Sequence, residues 1–194
     1  SDSAARKLAT DLAALREALS TASLIFFSGI TLAILSPADR QALLDAIAEA
    51  RNAGATVAFD PNLRPRLWED PDTMRTAIMA AAAVSDILLP SFEDEAAAFG
   101  DPVPDDTARR YADCGAGLVV VKNGADEMIA LDKGQTIRFT PAPVTAIVDT
   151  TAAGDSFNAA FLAAYLERTD LAQAIRAGAE LAAKVISKRG ALVD

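Results

Sequence analysis

The chain has 194 residues, 52% of them apolar, enough to form one well-buried domain. Its 18 Lys and Arg against 27 Asp and Glu give a formal net charge of −9, so it lacks the basic surface that binding a nucleic-acid backbone needs, and the acidic excess fits solubility. The absence of histidine excludes Ser-His and Cys-His nucleophilic schemes and His-ligated metals, leaving Asp, Glu, Lys, Tyr or Cys114 as acid or base.

Helical and extended segments alternate along the chain. Ser3 is positioned to cap a helix running to about Ser20, with Leu8, Leu12, Leu15 and Leu19 on one face. Leu24 to Phe27 reads as a buried strand. Ser36-Pro37 opens a second helix whose Leu43, Leu44 and Ile47 face inward and which Gly54 closes. Thr56 to Phe59 forms the next strand, followed by a helix from about Asp72 to Val84 and a strand from Asp86 to Leu89. Helical segments near Asp94 to Phe99 and Asp105 to Cys114 precede a strand at Leu118 to Val121. Glu127 to Leu131 and Thr136 to Thr140 flank the turn Asp132-Lys133-Gly134-Gln135 as a hairpin. Helices at Ser156 to Arg168 and about Leu171 to Lys188 complete the pattern, which contains no repeat or linker. This rhythm predicts one α/β domain with a mostly parallel sheet, helices on both faces and an antiparallel hairpin at its edge.

The apolar run 77–84 is far shorter than the roughly 20 residues a membrane span requires. With no visible targeting segment and a lone Cys114 that has no intrachain partner, the expected location is the cytoplasm, with neither membrane nor nucleic acid as partner.

Open parallel sheets bind ligands beyond the carboxyl ends of their strands, which directs attention to the loops after Phe27, Phe59, Leu89, Val121 and Val148. The last is the most informative. In Asp149-Thr150-Thr151-Ala152-Ala153-Gly154-Asp155, small residues precede an acid at the start of a helix, placing free backbone N–H groups beside a carboxylate. Such a segment serves either as an ordinary helix start, with Asp155 against the dipole, or as a phosphate cradle with an adjacent base. Phosphoryl transfer needs no strong base at such a position, because a loose transition state releases its proton late. After Phe59, the loop Asp60-Pro61-Asn62-Leu63-Arg64-Pro65-Arg66-Leu67-Trp68 is stiffened by two prolines. Its Arg64 suits bidentate recognition of a carboxylate or phosphate, Arg66 is expected to pair with an acid, and Trp68 to pack. No Gly-x-x-x-x-Gly-Lys-[Ser/Thr] occurs, and Gly115-Ala116-Gly117 precedes a strand where a dinucleotide fingerprint would follow one.

Asp149 to Asp155 resembles the C-terminal signature Asp-Thr-Thr-Gly-Ala-Gly-Asp of the ribokinase-like (PfkB) carbohydrate kinases, and Phe59 to Trp68 resembles the corresponding loop of the 2-keto-3-deoxygluconate kinases among them. The likeness continues through Ser28-Gly29-Ile30, Pro90-Ser91-Phe92-Glu93-Asp94 and Lys122-Asn123-Gly124. It implies a three-layer ribokinase-like fold and ATP-dependent phosphorylation of a sugar acid, 2-keto-3-deoxygluconate, at its 6-position. A kinase for a neutral sugar such as fructose or ribose, or for a nucleoside, and an inactive nucleotide-binding or scaffold fragment are the alternatives.

The resemblance makes Asp155 the base, the N–H groups of Ala152, Ala153, Gly154 and Asp155 the anion hole, Arg64 the grip on the sugar carboxylate, and Gly29 a neighbour of the sugar. It sets Ser91, Lys122 and Gly124 around the nucleotide, with Lys184 to Gly190 as a further wall. Asp94 would support the hydration shell of Mg2+, and Asp149 with Thr151 either a monovalent cation or a structural cap. Ala152 stands where the family usually has glycine and is expected to avoid positive φ. Ser91 and Asp94 are shorter than the family's Asn and Glu, and Glu127 stands where many members have a second glycine. The likeness spans the larger C-terminal part of the family's length. The N-terminal part, with its β-lid and dimer contacts, is not represented, so a homo-oligomer is expected for the full length, and strands such as Leu24 to Phe27 are expected to carry unpaired edges.

Overall fold

The structure, a computed structural model, describes residues 3–167 and 169–190. Six strands lie side by side in chain order: β1 (Leu24–Ser28), β2 (Thr56–Asp60), β3 (Ile87–Leu88), β4 (Leu118–Val121), β5 (Met128–Asp132) and β6 (Gln135–Phe139). The first four run parallel, and β5 and β6 are antiparallel at one edge. The β5–β6 turn needs two residues at positive φ, and Lys133 (46°) with Gly134 (86°) supply them.

Among the described residues, eight α-helices surround the sheet: α1 (Leu12–Ser20), α2 (Gly29–Ile34), α3 (Pro37–Asn52), α4 (Pro71–Ala83), α5 (Phe92–Phe99), α6 (Pro104–Ala112), α7 (Ala153–Leu166) and α8 (Leu171–Ile186). Strand side chains alternate between two cores, as a period of two demands. Val57, Phe59, Val119, Val121 and Ile129 pack with Leu43 and Ile47 of α3, Ile78 of α4 and Tyr111 of α6. Ala58, Leu118, Val120, Met128 and Ala130 pack with Phe157, Phe161 and Leu162 of α7 and Ile175 of α8. Each of the larger fully buried side chains contributes roughly 1.5–3 kcal/mol relative to exposure. A Cβ on Gly178 of α8 would stand 2.9 Å from the Phe157 ring, so glycine there lets α8 approach α7 closely. Among the described residues no helix is long and apolar enough to cross a membrane.

The structure corrects several boundaries. The first predicted helix divides into a 3₁₀ turn (Ala4–Lys7) and α1, because the Asp11 carboxylate accepts from Ala14 N at 3.0 Å and takes the cap expected of Ser3. Leu15 is buried and Leu12 and Leu19 pack on the core, whereas Leu8 stays exposed. The helix α2 has no counterpart in the predicted elements. No strand leads to Val148: the N–H groups of Val148 and Asp149 donate to Ile186 O, at 2.8 and 3.2 Å, so this segment is tied to the end of α8. Helix α7 starts at Ala153, so Asp155 lies within its first turn, while the predicted end at Arg168 lies outside the described residues. As expected, Ser36 caps α3 by accepting from Asp39 N at 3.2 Å, and Trp68 is buried, with Arg40 4.7 Å above its ring.

Candidate active site

The loops after β2, β3 and β4 and the starts of α5 and α7, with one face of α8, enclose a cavity of about 790 Å³. It gathers Arg64, Ser91, Asp94, Lys122, Gly124, Ala153 and Gly154 into one wall. The Ser91 backbone is set there by a bridge to Lys122, with Phe92 N donating to Lys122 O and Lys122 N to Pro90 O, both at 2.8 Å.

Ala152, expected to avoid the left-handed region, occupies it, at φ 60° and ψ 15°. The conformation is imposed by the turn: Ala153 N donates to Thr150 O at 3.2 Å and Ser156 N to Ala152 O at 2.9 Å, which fixes the residue between them. An L-residue pays about 1–2 kcal/mol in this region. The N–H groups of Gly154 and Asp155 make no hydrogen bond among the described residues, as orphan donors of a helix start do, whereas that of Ala153 is already bonded. Asp155 is exposed and is not among the residues that line the cavity, and its carboxylate has no ion pair or hydrogen bond among the described residues.

The remaining expected residues stand apart from the cavity wall. Gly29 is buried, with its Cα so near the 60–64 loop that a Cβ would lie 1.9 Å from Pro61 O; only glycine fits there. Asp149 accepts from Thr151 N at 2.9 Å and from Gly190 N at 3.2 Å, and the Thr151 side chain and these amides lower its pKa. Its carboxylate therefore ties the 149–151 turn to the end of α8. Lys184 is exposed near the end of α8, and Gly190, at φ 83°, follows it. Arg66 is exposed and, contrary to expectation, has no ion pair among the described residues, because it sits on the outer side of a 3₁₀ turn (Pro65–Leu67).

Arg64 Nη1 lies 3.8 Å from Asp94 Oδ2, with both side chains substantially exposed, so the pair is weak. Burial raises the Asp94 pKa, against the pull of Arg64. The described residues contain no group of three or more His, Cys, Asp or Glu placed to hold a metal ion. This donor set does not form an all-protein cage, and a divalent ion here would need ligands from the phosphates, with Asp94 as the residue that would help hold it.

The pairing of Asp60, Lys122 and Asn158 was not anticipated. Asn158 Nδ2 donates to Asp60 Oδ2 at 2.6 Å, and Lys122 Nζ donates to Asn158 Oδ1 at 3.0 Å and to Asp60 Oδ2 at 3.4 Å. All three are buried. The available signal was a polar residue on an apolar helix face, Asn158 among Phe157, Phe161 and Leu162, together with opposite charges ending two strands.

A mostly parallel six-stranded sheet with an antiparallel edge and helices on both faces is the three-layer ribokinase-like fold. The chain belongs to the pfkB family of carbohydrate kinases, which it matches over residues 1–194. It is 38% identical over 184 residues to the 2-dehydro-3-deoxygluconokinase of Escherichia coli strain K12, a match covering 93% of this chain and 60% of the relative. The PfkB protein from Polaromonas sp. JS666 superposes with a TM-score of 0.78 at 33% identity, over 89% of this chain and 56% of that one. Aminoimidazole riboside kinase from Salmonella enterica, solved with aminoimidazole riboside and an ATP analog, superposes with a TM-score of 0.76 at 29% identity, over 87% and 57% of the two chains. The chain thus spans about 60% of the length of such relatives.

Proposed function

We propose that this chain carries the catalytic and nucleotide-binding part of an ATP-dependent sugar-acid kinase that converts 2-keto-3-deoxygluconate to its 6-phosphate. The observation that carries this reading is the start of α7, where the N–H groups of Gly154 and Asp155 make no hydrogen bond among the described residues and Gly154 lines a cavity that also holds Arg64. The likeness to a kinase named for this sugar acid supports the substrate, and the relative solved with an ATP analog supports the nucleotide.

In this reading, Asp155 accepts the proton of the 6-hydroxyl as that oxygen bonds to the γ-phosphorus and the bond from phosphorus to the bridging oxygen of ADP breaks. The Gly154 and Asp155 amides and the α7 dipole stabilise the charge on the transferring group. Arg64 exchanges its weak contact with Asp94 for the sugar carboxylate, a bidentate partner. The apolar face of α8 at Ala179, Ala183 and Ile186 takes the nucleotide base. Asp94 would support a Mg2+ ion bound with the phosphates, which would supply neutralisation of their charge.

In the full-length protein, Arg64→Ala is expected to raise KM for the sugar acid by about tenfold or more and leave KM for fructose and ribose unchanged. An equal rise for acidic and neutral sugars contradicts the carboxylate grip. ATP binding without phosphorylation of any sugar identifies a silent nucleotide-binding domain instead.

A further inference from the structure

Lys122 follows β4 at the cavity, and its ammonium lies against the first turn of α7. The side chain is 9% exposed, and two of its donors face Asn158 Oδ1 and Asp60 Oδ2. A Cβ built on Gly154 would stand 3.6 Å from Nζ, the one heavy atom outside the turn within 4 Å of that point. The Lys122 ammonium therefore lies close to the backbone of Gly154 while bonded to Asp60 and Asn158. Asp60 is itself fixed: Oδ1 accepts from Asn62 N at 3.1 Å and Oδ2 from Asn158 at 2.6 Å. Asn158, one turn into α7, thus locks the cation to the same helix whose start carries the unbonded amides.

We infer that Lys122 is a positioning residue of the anion site: clamped by Asp60 and Asn158, its buried charge supports the α7 start and attracts a phosphate group from beneath Gly154, without lying along the nucleotide. A buried cation acts strongly over short distances because few waters screen it. A clamped one also needs no rearrangement as charge develops above it. The inference rests on the proposed phosphoryl-transfer site but concerns its electrostatic support and not its sugar.

Removing the ammonium alone strands a buried carboxylate and endangers folding, so the decisive variant is Lys122→Met with Asp60→Asn, which removes both charges and keeps an amide against Asn158. In the full-length protein, its Tm should stay close to that of the wild type. Affinity for inorganic phosphate, by calorimetric titration, should fall about tenfold and kcat about a hundredfold, with KM for ATP within about threefold. Unchanged phosphate affinity and kcat overturn the inference, as does a rise in KM for ATP with kcat intact, which would mark a direct nucleotide contact. If the wild type phosphorylates no sugar while phosphate affinity still falls in the variant, the kinase reading fails and the role of Lys122 stands.

Discussion

At Ala152 two requirements conflict. The turn before α7 demands a left-handed backbone, and the sequence supplies a residue with a Cβ. Turn geometry prevails because the bonds on either side of Ala152 are satisfied only in that conformation. Glycine would relieve the strain but would enlarge the conformational freedom of the unfolded chain, so Ala152→Gly is expected to stabilise the protein by about 0.5–1 kcal/mol. Equilibrium urea unfolding measures this, and a loss of stability would show that Ala152 is unstrained. The residue types of the anion site were readable in sequence, since small residues before an acid at a helix start have a recognisable chemistry. The conformation was not, because it depends on the bonds from Ala153 N to Thr150 O and from Ser156 N to Ala152 O, which close only in the folded turn. The Asp60–Lys122–Asn158 cluster was hidden for a similar reason: Asp60 and Asn158 are 98 residues apart and meet only when α7 packs on the sheet.

Helices α5 and α6 share a charged cluster beside their apolar contacts. Arg110 of α6 donates to Glu95 Oε2 at 2.9 Å and to Asp101 Oδ2 at 2.6 Å, and Tyr111 OH donates to Glu95 Oε2 at 2.9 Å. Glu95 is fully buried and its Oε1 has no hydrogen-bond partner among the described residues, an environment that favours the protonated acid. Burial pushes its pKa from the usual 4.5 up to about 7, against the pull of Arg110. The folded state therefore binds more protons than the unfolded state across that interval. The contribution of Glu95 to stability is fully present below pH 4.5 and is lost as pH rises through about 7. Replacing Glu95 by Gln should remove this slope. The wild type should lose stability relative to Glu95→Gln between about pH 5 and about pH 8, measured by urea midpoints. A constant difference between the two proteins across that range would contradict a buried protonated Glu95. Helix α5 was legible from its sequence as an element, but the burial of a glutamate in it was not, because three acids in a row read as a solvated first turn.

Across the whole molecule, alternating strand residues divide between two helical layers, and this period made the α/β class legible from sequence. Strand β1 is the exception that locates an exposed boundary. It pairs only with β2, and Phe26, opposite Ala58, is 46% exposed on the face that α7 and α8 cover elsewhere. An unpaired edge beside an uncovered aromatic ring is a surface suited to association. The exposure of Asp155 belongs to the same scale, since the proposed base stands at an open helix start beside the strand ends rather than in a closed pocket.

The central claim is that Asp155 at the start of α7 transfers the proton in a phosphoryl-transfer site. It is tested most directly by Asp155→Asn in the full-length protein, with ADP release measured against 2-keto-3-deoxygluconate and nucleotide affinity measured in parallel. The account predicts that kcat falls by about a thousandfold or more while the Kd for ATP changes by less than about threefold. Near-normal turnover in Asp155→Asn would contradict it.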